Sequence, residues 1–185
     1  MTRTEQPRRS GRVVPGLALA LSLVATACIT EQELATAPMS CPSQENFRTV
    51  SAVLERRCGT LDCHGVLARP LRIYGQYGLR RPQAPVEGLP FDFDEYYTGG
   101  EVATTDAEVA DNYLSACGLE PELMAAVLGG EEAPEVLTLV RKPRLEEKHK
   151  GGKIWDTTIK GDACLLSWIN GAVEPEPCRI ELERP

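Results

Sequence analysis

The chain has 185 residues, is 42% hydrophobic but only 5% aromatic, and carries 27 acidic against 20 basic side chains, a net charge of −7. The length suits one domain behind a targeting segment, and the acidic balance argues against nucleic-acid binding. A basic partner protein is the complement that such a charge favours.

Arg3, Arg8, Arg9 and Arg12 precede an apolar stretch from Val13 to Ala25, broken only by Pro15, Gly16 and Ser22. The stretch is shorter than the roughly 20 apolar residues of a membrane span, so residues 1–27 read as a signal peptide. Ala25-Thr26-Ala27 then precede Cys28. This resembles the lipobox of bacterial lipoproteins, whose cysteine is lipidated and becomes the mature N-terminus, with Ala25 where that family prefers leucine. The alternative is a plain signal peptide cut after Ala27. The expectation is an exported bacterial lipoprotein, at the periplasmic face or on the outer membrane. Acyl chains would hold it to the bilayer, each buried methylene adding about 0.8 kcal/mol.

Residues 28–42 read as a linker. Ser43, after Pro42, is a suitable N-cap for a first helix, with Phe47, Val50 and Leu54 on its inner side and Cys58 at its end. Leu71 to Tyr74 reads as a short extended piece. Prolines and glycines make 80–100 a loop, whose Phe91, Phe93, Tyr96 and Tyr97 are expected to pack it onto the domain. Thr105-Asp106-Ala107-Glu108 has the capping-box form. The helix it opens has Val109, Tyr113 and Leu114 inward, and ends at Cys117-Gly118. Pro121 starts a third helix running through Leu123, Met124 and Val127 to Gly129. Glu135 to Val140 reads as a short helix or a strand. Asp162 is the expected cap of a last helix, with Cys164, Leu165, Trp168 and Ile169 inward and Gly171 closing it. The fold class is therefore all-α: four to five short helices with long loops, forming one domain over 43–185. So few aromatic residues leave part of the core to a cofactor or to disulfides.

The chemistry concentrates in Cys58-Gly59-Thr60-Leu61-Asp62-Cys63-His64. Two thiols followed at once by an imidazole suit covalent haem attachment: each thiol adds to a vinyl group, and the imidazole ligates the iron. The usual spacing is C-x-x-C-H; here four residues separate the cysteines. His149, in Glu146-Glu147-Lys148-His149-Lys150-Gly151-Gly152, is the only other histidine and the favoured distal ligand. The two following glycines allow close backbone approach or positive φ. Met124 is the alternative ligand, although its apolar helix face reads as core; Met39 sits in the linker. A His/His pair gives a lower potential than Met/His. Without haem, Cys58 and Cys63 would close a small disulfide. Zinc has three candidate ligands here and no fourth at normal spacing.

Cys41, Cys117, Cys164 and Cys178 remain. With haem bound they form two disulfides in one of three pairings, and Cys164–Cys178 with Cys41–Cys117 is the expected one. Without haem, three disulfides have fifteen pairings. No G-x-S-x-G, H-E-x-x-H or phosphate-cradling glycine loop marks an enzyme.

C-G-T-L-D-C-H-G (58–65), L-R-I-Y (71–74), H-K-G-G (149–152) and C-L-L-S-W-I-N-G-A (164–172) occur in that order. The series resembles the cytochrome c-like domains of planctomycete and myxobacterial secreted proteins. These read C-x-x-C-H-G, a Leu-Arg-Leu segment, a His-Gly-Gly, and a closing helix with Trp-Ile and Gly-Ala. The resemblance covers Phe47 to Ala172; the wider cysteine spacing is the departure. It implies a cytochrome c-like fold holding haem c, with His64 as proximal ligand and a redox partner protein. The leading expectation is a lipid-anchored electron carrier rather than an enzyme. The alternatives are a cofactor-free, disulfide-stapled surface lipoprotein that binds a partner, and a haem enzyme or sensor with an open sixth position.

Overall fold

In the computed structural model of the chain, residues 39–81 and 100–185 are described. The signal segment, Cys28 and the aromatic residues of 91–97 lie outside them. Helix α1, Phe47–Cys58, buries Phe47, Val50, Val53, Leu54 and Cys58. It starts later than Ser43 because Asn46 is left-handed, at φ 61°, a geometry that asparagine tolerates better than most residues. The Ser43 hydroxyl instead accepts from the Glu45 amide within a turn.

Helix α2, Asp106–Cys117, opens on the expected capping box between Thr105 and Glu108. Its inner side differs from the expected stripe. Leu114 is exposed, whereas Glu108, Val109, Asn112, Ala116 and Cys117 are buried. Glu108 is tolerated there because the Arg80 guanidinium donates to both its oxygens, at 2.8 and 3.0 Å. Asn112 uses its side-chain amide to bond the Tyr74 backbone in both directions, at 2.7 and 2.8 Å. This ties the Leu71–Tyr74 segment, which pairs only through one Tyr74–Leu79 bridge, to α2.

Helix α3, Pro121–Leu128, has its proline in the first turn and Gly129 after its end, as expected. A 3-10 turn, Pro134–Val136, leads into α4, Thr138–Arg144. Glu120 serves as the cap of α4, accepting from the Thr138 amide at 2.6 Å and from its hydroxyl at 2.9 Å. Helix α5, Lys160–Ile169, begins two residues before Asp162, so Asp162 is not its cap. It lies in the first turn and accepts two bonds from Arg144, at 2.7 and 2.8 Å. Both side chains are buried.

Helix α5 is not the last. Pro175–Glu183 forms α6, which makes six α-helices and no strand among the described residues, an all-α domain with one helix more than expected. The reason α6 escapes an apolar pattern is that Glu181 faces inward and Ile180 outward. Inside, Glu181 is satisfied by Arg57 and Arg184, both at 2.7 Å, and by the Gly161 amide. Helix α1 packs on α2, α5 and α6 at the centre of the domain.

Both expected disulfides are present, Cys41–Cys117 and Cys164–Cys178, with Cα separations of 5.7 and 4.8 Å. The compact unit spans Met39 to Pro185. Residues 41–43 belong to it because Cys41 is bonded to Cys117 and the Pro42 carbonyl accepts from the Tyr113 hydroxyl at 2.7 Å. The Ser43 carbonyl accepts from the Trp168 indole at 3.1 Å. Phe47 packs between Tyr113 and Trp168, with ring centres 5.4 and 4.8 Å away. Disulfides and this one aromatic cluster supply core that other proteins build from more aromatic residues. Met124 is part of that core. No described helix is long and apolar enough to cross a membrane.

Candidate functional site

Helix α1 ends on Cys58, and the chain then turns sharply so that the next cysteine returns to the same place. The turn depends on glycine. A Cβ on Gly65 would lie 2.2 Å from the Gly59 carbonyl oxygen, and one on Gly78 would lie 2.1 Å from it. Two backbone segments thus press on one carbonyl, a contact that no side chain permits. The Thr60 carbonyl accepts from the amides of Cys63 and Gly65, each at 2.9 Å. The His64 amide donates to the Cys58 carbonyl at 2.9 Å, and the Ile73 amide to the His64 carbonyl at 2.9 Å. The extra residues between the cysteines are absorbed in these turns. Cys58 and Cys63 both line one cavity of about 600 Å³, and they are not bonded to each other.

His64 and His149 line the same cavity from two separate loops. Their ring centres are 6.1 Å apart and their planes within 20° of parallel. Nδ1 of His64 is 2.9 Å from the Leu71 carbonyl, and Nδ1 of His149 is 2.9 Å from the Gly152 carbonyl. A carbonyl only accepts, so each Nδ1 carries a proton, and in the neutral form of either ring Nε2 is the nitrogen with the lone pair. Burial holds the His64 imidazole below the usual histidine range, helped by nearby His149 and Arg69 and opposed by the Leu71 carbonyl. It is therefore neutral at neutral pH, the form that ligates metals. The glycines after His149 act as the sequence suggests. Gly152 has φ 74°, and a Cβ on Gly151 would come within 3.2 Å of the His149 ring.

The cavity walls are mainly apolar, among them Leu54, Leu71, Leu119, Leu139 and Ile154. Its volume lies in the range of sites that enclose a ligand of cofactor size. Burial, with Cys63 close by, pushes the Cys58 thiol up to about 12. Cys58 therefore remains a thiol rather than a thiolate at neutral pH.

The structure thus brings together Cys58, Cys63, His64 and His149, four residues from two separate parts of the sequence. It keeps the others away. Met124 is buried in the core and does not line the cavity. Cys41, Cys117, Cys164 and Cys178 are consumed in disulfides elsewhere. No group of three or more His, Cys, Asp or Glu side chains among the described residues is arranged to hold a bare metal ion. Two imidazoles with near-parallel rings, two free thiols and apolar side chains line one cavity together. Sequence reasoning missed five cations of the lining, Arg57, Arg69, Lys142, Lys148 and Lys150. The only signal for any of them was the Lys-His-Lys triplet at 148–150.

No protein-family model, curated protein or solved structure matches the chain.

Proposed function

We propose that this chain is a lipid-anchored, c-type cytochrome-like protein that carries electrons. The observation that carries the reading is the pair of imidazoles, with ring centres 6.1 Å apart, in the wall of a cavity that both free cysteines also line. Two imidazoles sharing one metal at about 2 Å each stand with ring centres about 6 Å apart. His64 and His149 would ligate the iron of a bound haem, and Cys58 and Cys63 would hold it covalently. When bound, haem supplies a one-electron couple. Leu71 and Gly152 hold the two rings by their Nδ1 atoms and so fix which nitrogen meets the metal. The apolar walls exclude water. With Met124 committed to the core, His/His ligation sets a lower potential than Met/His would. A lipid on Cys28 would keep the domain at a membrane, where it meets a redox partner protein.

The test is production of the mature chain in a bacterial host with haem-attachment machinery. We expect a low-spin Soret spectrum and a haem stain that stays with the polypeptide after denaturation. The stain should vanish in a Cys58→Ser/Cys63→Ser variant, while His149→Ala should let the reduced protein bind carbon monoxide. A haem-free chain with Cys58 and Cys63 joined, two hydrogens lighter in mass, would overturn the reading in favour of a disulfide-stapled binding module.

A further inference from the structure

Five cations and one acid, Asp62, line the cavity, in a chain whose acids outnumber its bases. Two of the five are already neutralised. Arg57 donates to Glu181 at 2.7 Å, and the Lys142 ammonium meets Glu147 at 2.6 Å. Arg69, Lys148 and Lys150 have no carboxylate at ion-pair distance among the described residues. Arg69 is aimed by its own backbone contact, its Nε donating to the Cys63 carbonyl at 3.1 Å, directly beside His64. Lys148 and Lys150 flank His149. Three unpaired cations less Asp62 leave an excess of two positive charges in the lining of an otherwise mainly apolar space. Two like-charged lysines two residues apart gain nothing from each other. Each gains from a carboxylate, most of all where low-dielectric walls reduce the screening.

We infer that Arg69, Lys148 and Lys150 form a carboxylate-recognition edge of this cavity, selecting a flat, apolar ligand that carries two carboxylates on one side. Haem has that form, since its ring bears two propionates, so the inference rests on the haem reading and deepens it. The iron and the vinyl groups are met by the histidines and thiols, the propionates by these cations. The three residues act as positioning residues. They decide which way round the ring enters, and hence whether its vinyl edge meets Cys58 and Cys63.

The test separates charge recognition from iron ligation. Ferric haem and its dimethyl ester, which has the same ring and iron but no carboxylate charge, are titrated into the mature chain carrying Cys58→Ser/Cys63→Ser. Binding is read from the Soret shift. Haem is expected to bind at least about tenfold more tightly than the ester, a difference of about 1.4 kcal/mol. Adding Arg69→Gln/Lys148→Gln/Lys150→Gln should bring haem to the affinity of the ester and leave the ester unchanged. The Lys148→Gln/Lys150→Gln pair alone, at exposed positions, should give a smaller loss of the same sign. Equal affinities in the parent chain, or a preference that survives the triple substitution, would overturn the inference. In that case a low-spin spectrum with both ligands would leave the haem reading standing. If neither ligand shifts the Soret band, both readings fall.

Discussion

The two histidines line one cavity with near-parallel rings, yet the segments that carry them are built differently. His64 sits on a loop wedged into the domain. Its amide is bonded to the end of α1, its carbonyl to Ile73 and its ring to Leu71. Two glycines from different segments close on the Gly59 carbonyl beneath it. His149 sits on a strap whose tip is closed by its own ring and backbone bonds to Gly152 and tied to α4 only through side chains of Arg141 and Lys142. The strap is fixed at its base. Arg144 is clamped by Asp162 on one side of it, and the Ile154 amide donates to the Pro143 carbonyl at 2.8 Å on the other. An imidazole on the wedged loop cannot move without disturbing the fold. An imidazole on the strap can be repositioned at less cost, because its tip is held by local bonds and by half-exposed ion pairs of Glu147 with Lys142 and Arg141.

Substitutions can break this contrast at its strongest point first. Asp162→Ala would leave the Arg144 guanidinium buried without its two-bond partner, with only Glu135 and Glu146 nearby at 3.7 and 3.8 Å. The expected loss is about 3 kcal/mol or more in urea unfolding, because a buried charge stripped of its partner is costly. A loss near zero would show that the base of the strap is not anchored there.

A pair of glycine substitutions tests the two sides directly. Gly78→Ala places its Cβ 2.1 Å from a backbone oxygen that cannot retreat, and should cost about 2 kcal/mol on the His64 side. Gly151→Ala meets only the His149 ring, at 3.2 Å. It should cost less than about 1 kcal/mol while turning that ring, which the spectrum of bound haem would report. Equal stability losses would erase the distinction between wedge and strap.

The smallest expected effect concerns the thiols of the haem-free protein. Cys58 is buried and Cys63 half-buried, so iodoacetamide should label Cys63 first and Cys58 only as the chain unfolds. The Cys58 thiol, at about 12 against an ordinary 9.0, stays protonated in the fold over a range where the unfolded chain ionises. Its contribution to stability is therefore complete below pH 9 and is lost as pH rises from there towards 12. The urea midpoint should fall between pH 8 and pH 10.5, and less so in Cys58→Ala. Equal labelling rates at both cysteines would contradict the burial of α1's last residue.

Much of the scaffold was legible because it is local. Thr105 with Glu108, Pro121 with Gly129, and the helical run ending at Cys58 are patterns within a few residues, where capping and periodicity act. The Asn46 break was hidden, since an asparagine that leaves the helix looks like one that stays in it. So was α6, because its pattern reads a buried Glu181 as surface. Its inward place makes sense only beside Arg57, which arrives from α1.

The sequence alone determined an all-α domain, the cysteines available for pairing and the candidate ligand set of Cys58, Cys63, His64 and His149. These follow from local propensity and from the inventory of side chains. Only the tertiary structure decided that both thiols and both imidazoles share one cavity, that Met124 is core, that Asp162 clamps Arg144, and that Arg69, Lys148 and Lys150 line the same cavity. Those facts depend on contacts between distant segments. Such contacts are set by which surfaces must be buried together, and no short pattern in the chain encodes them.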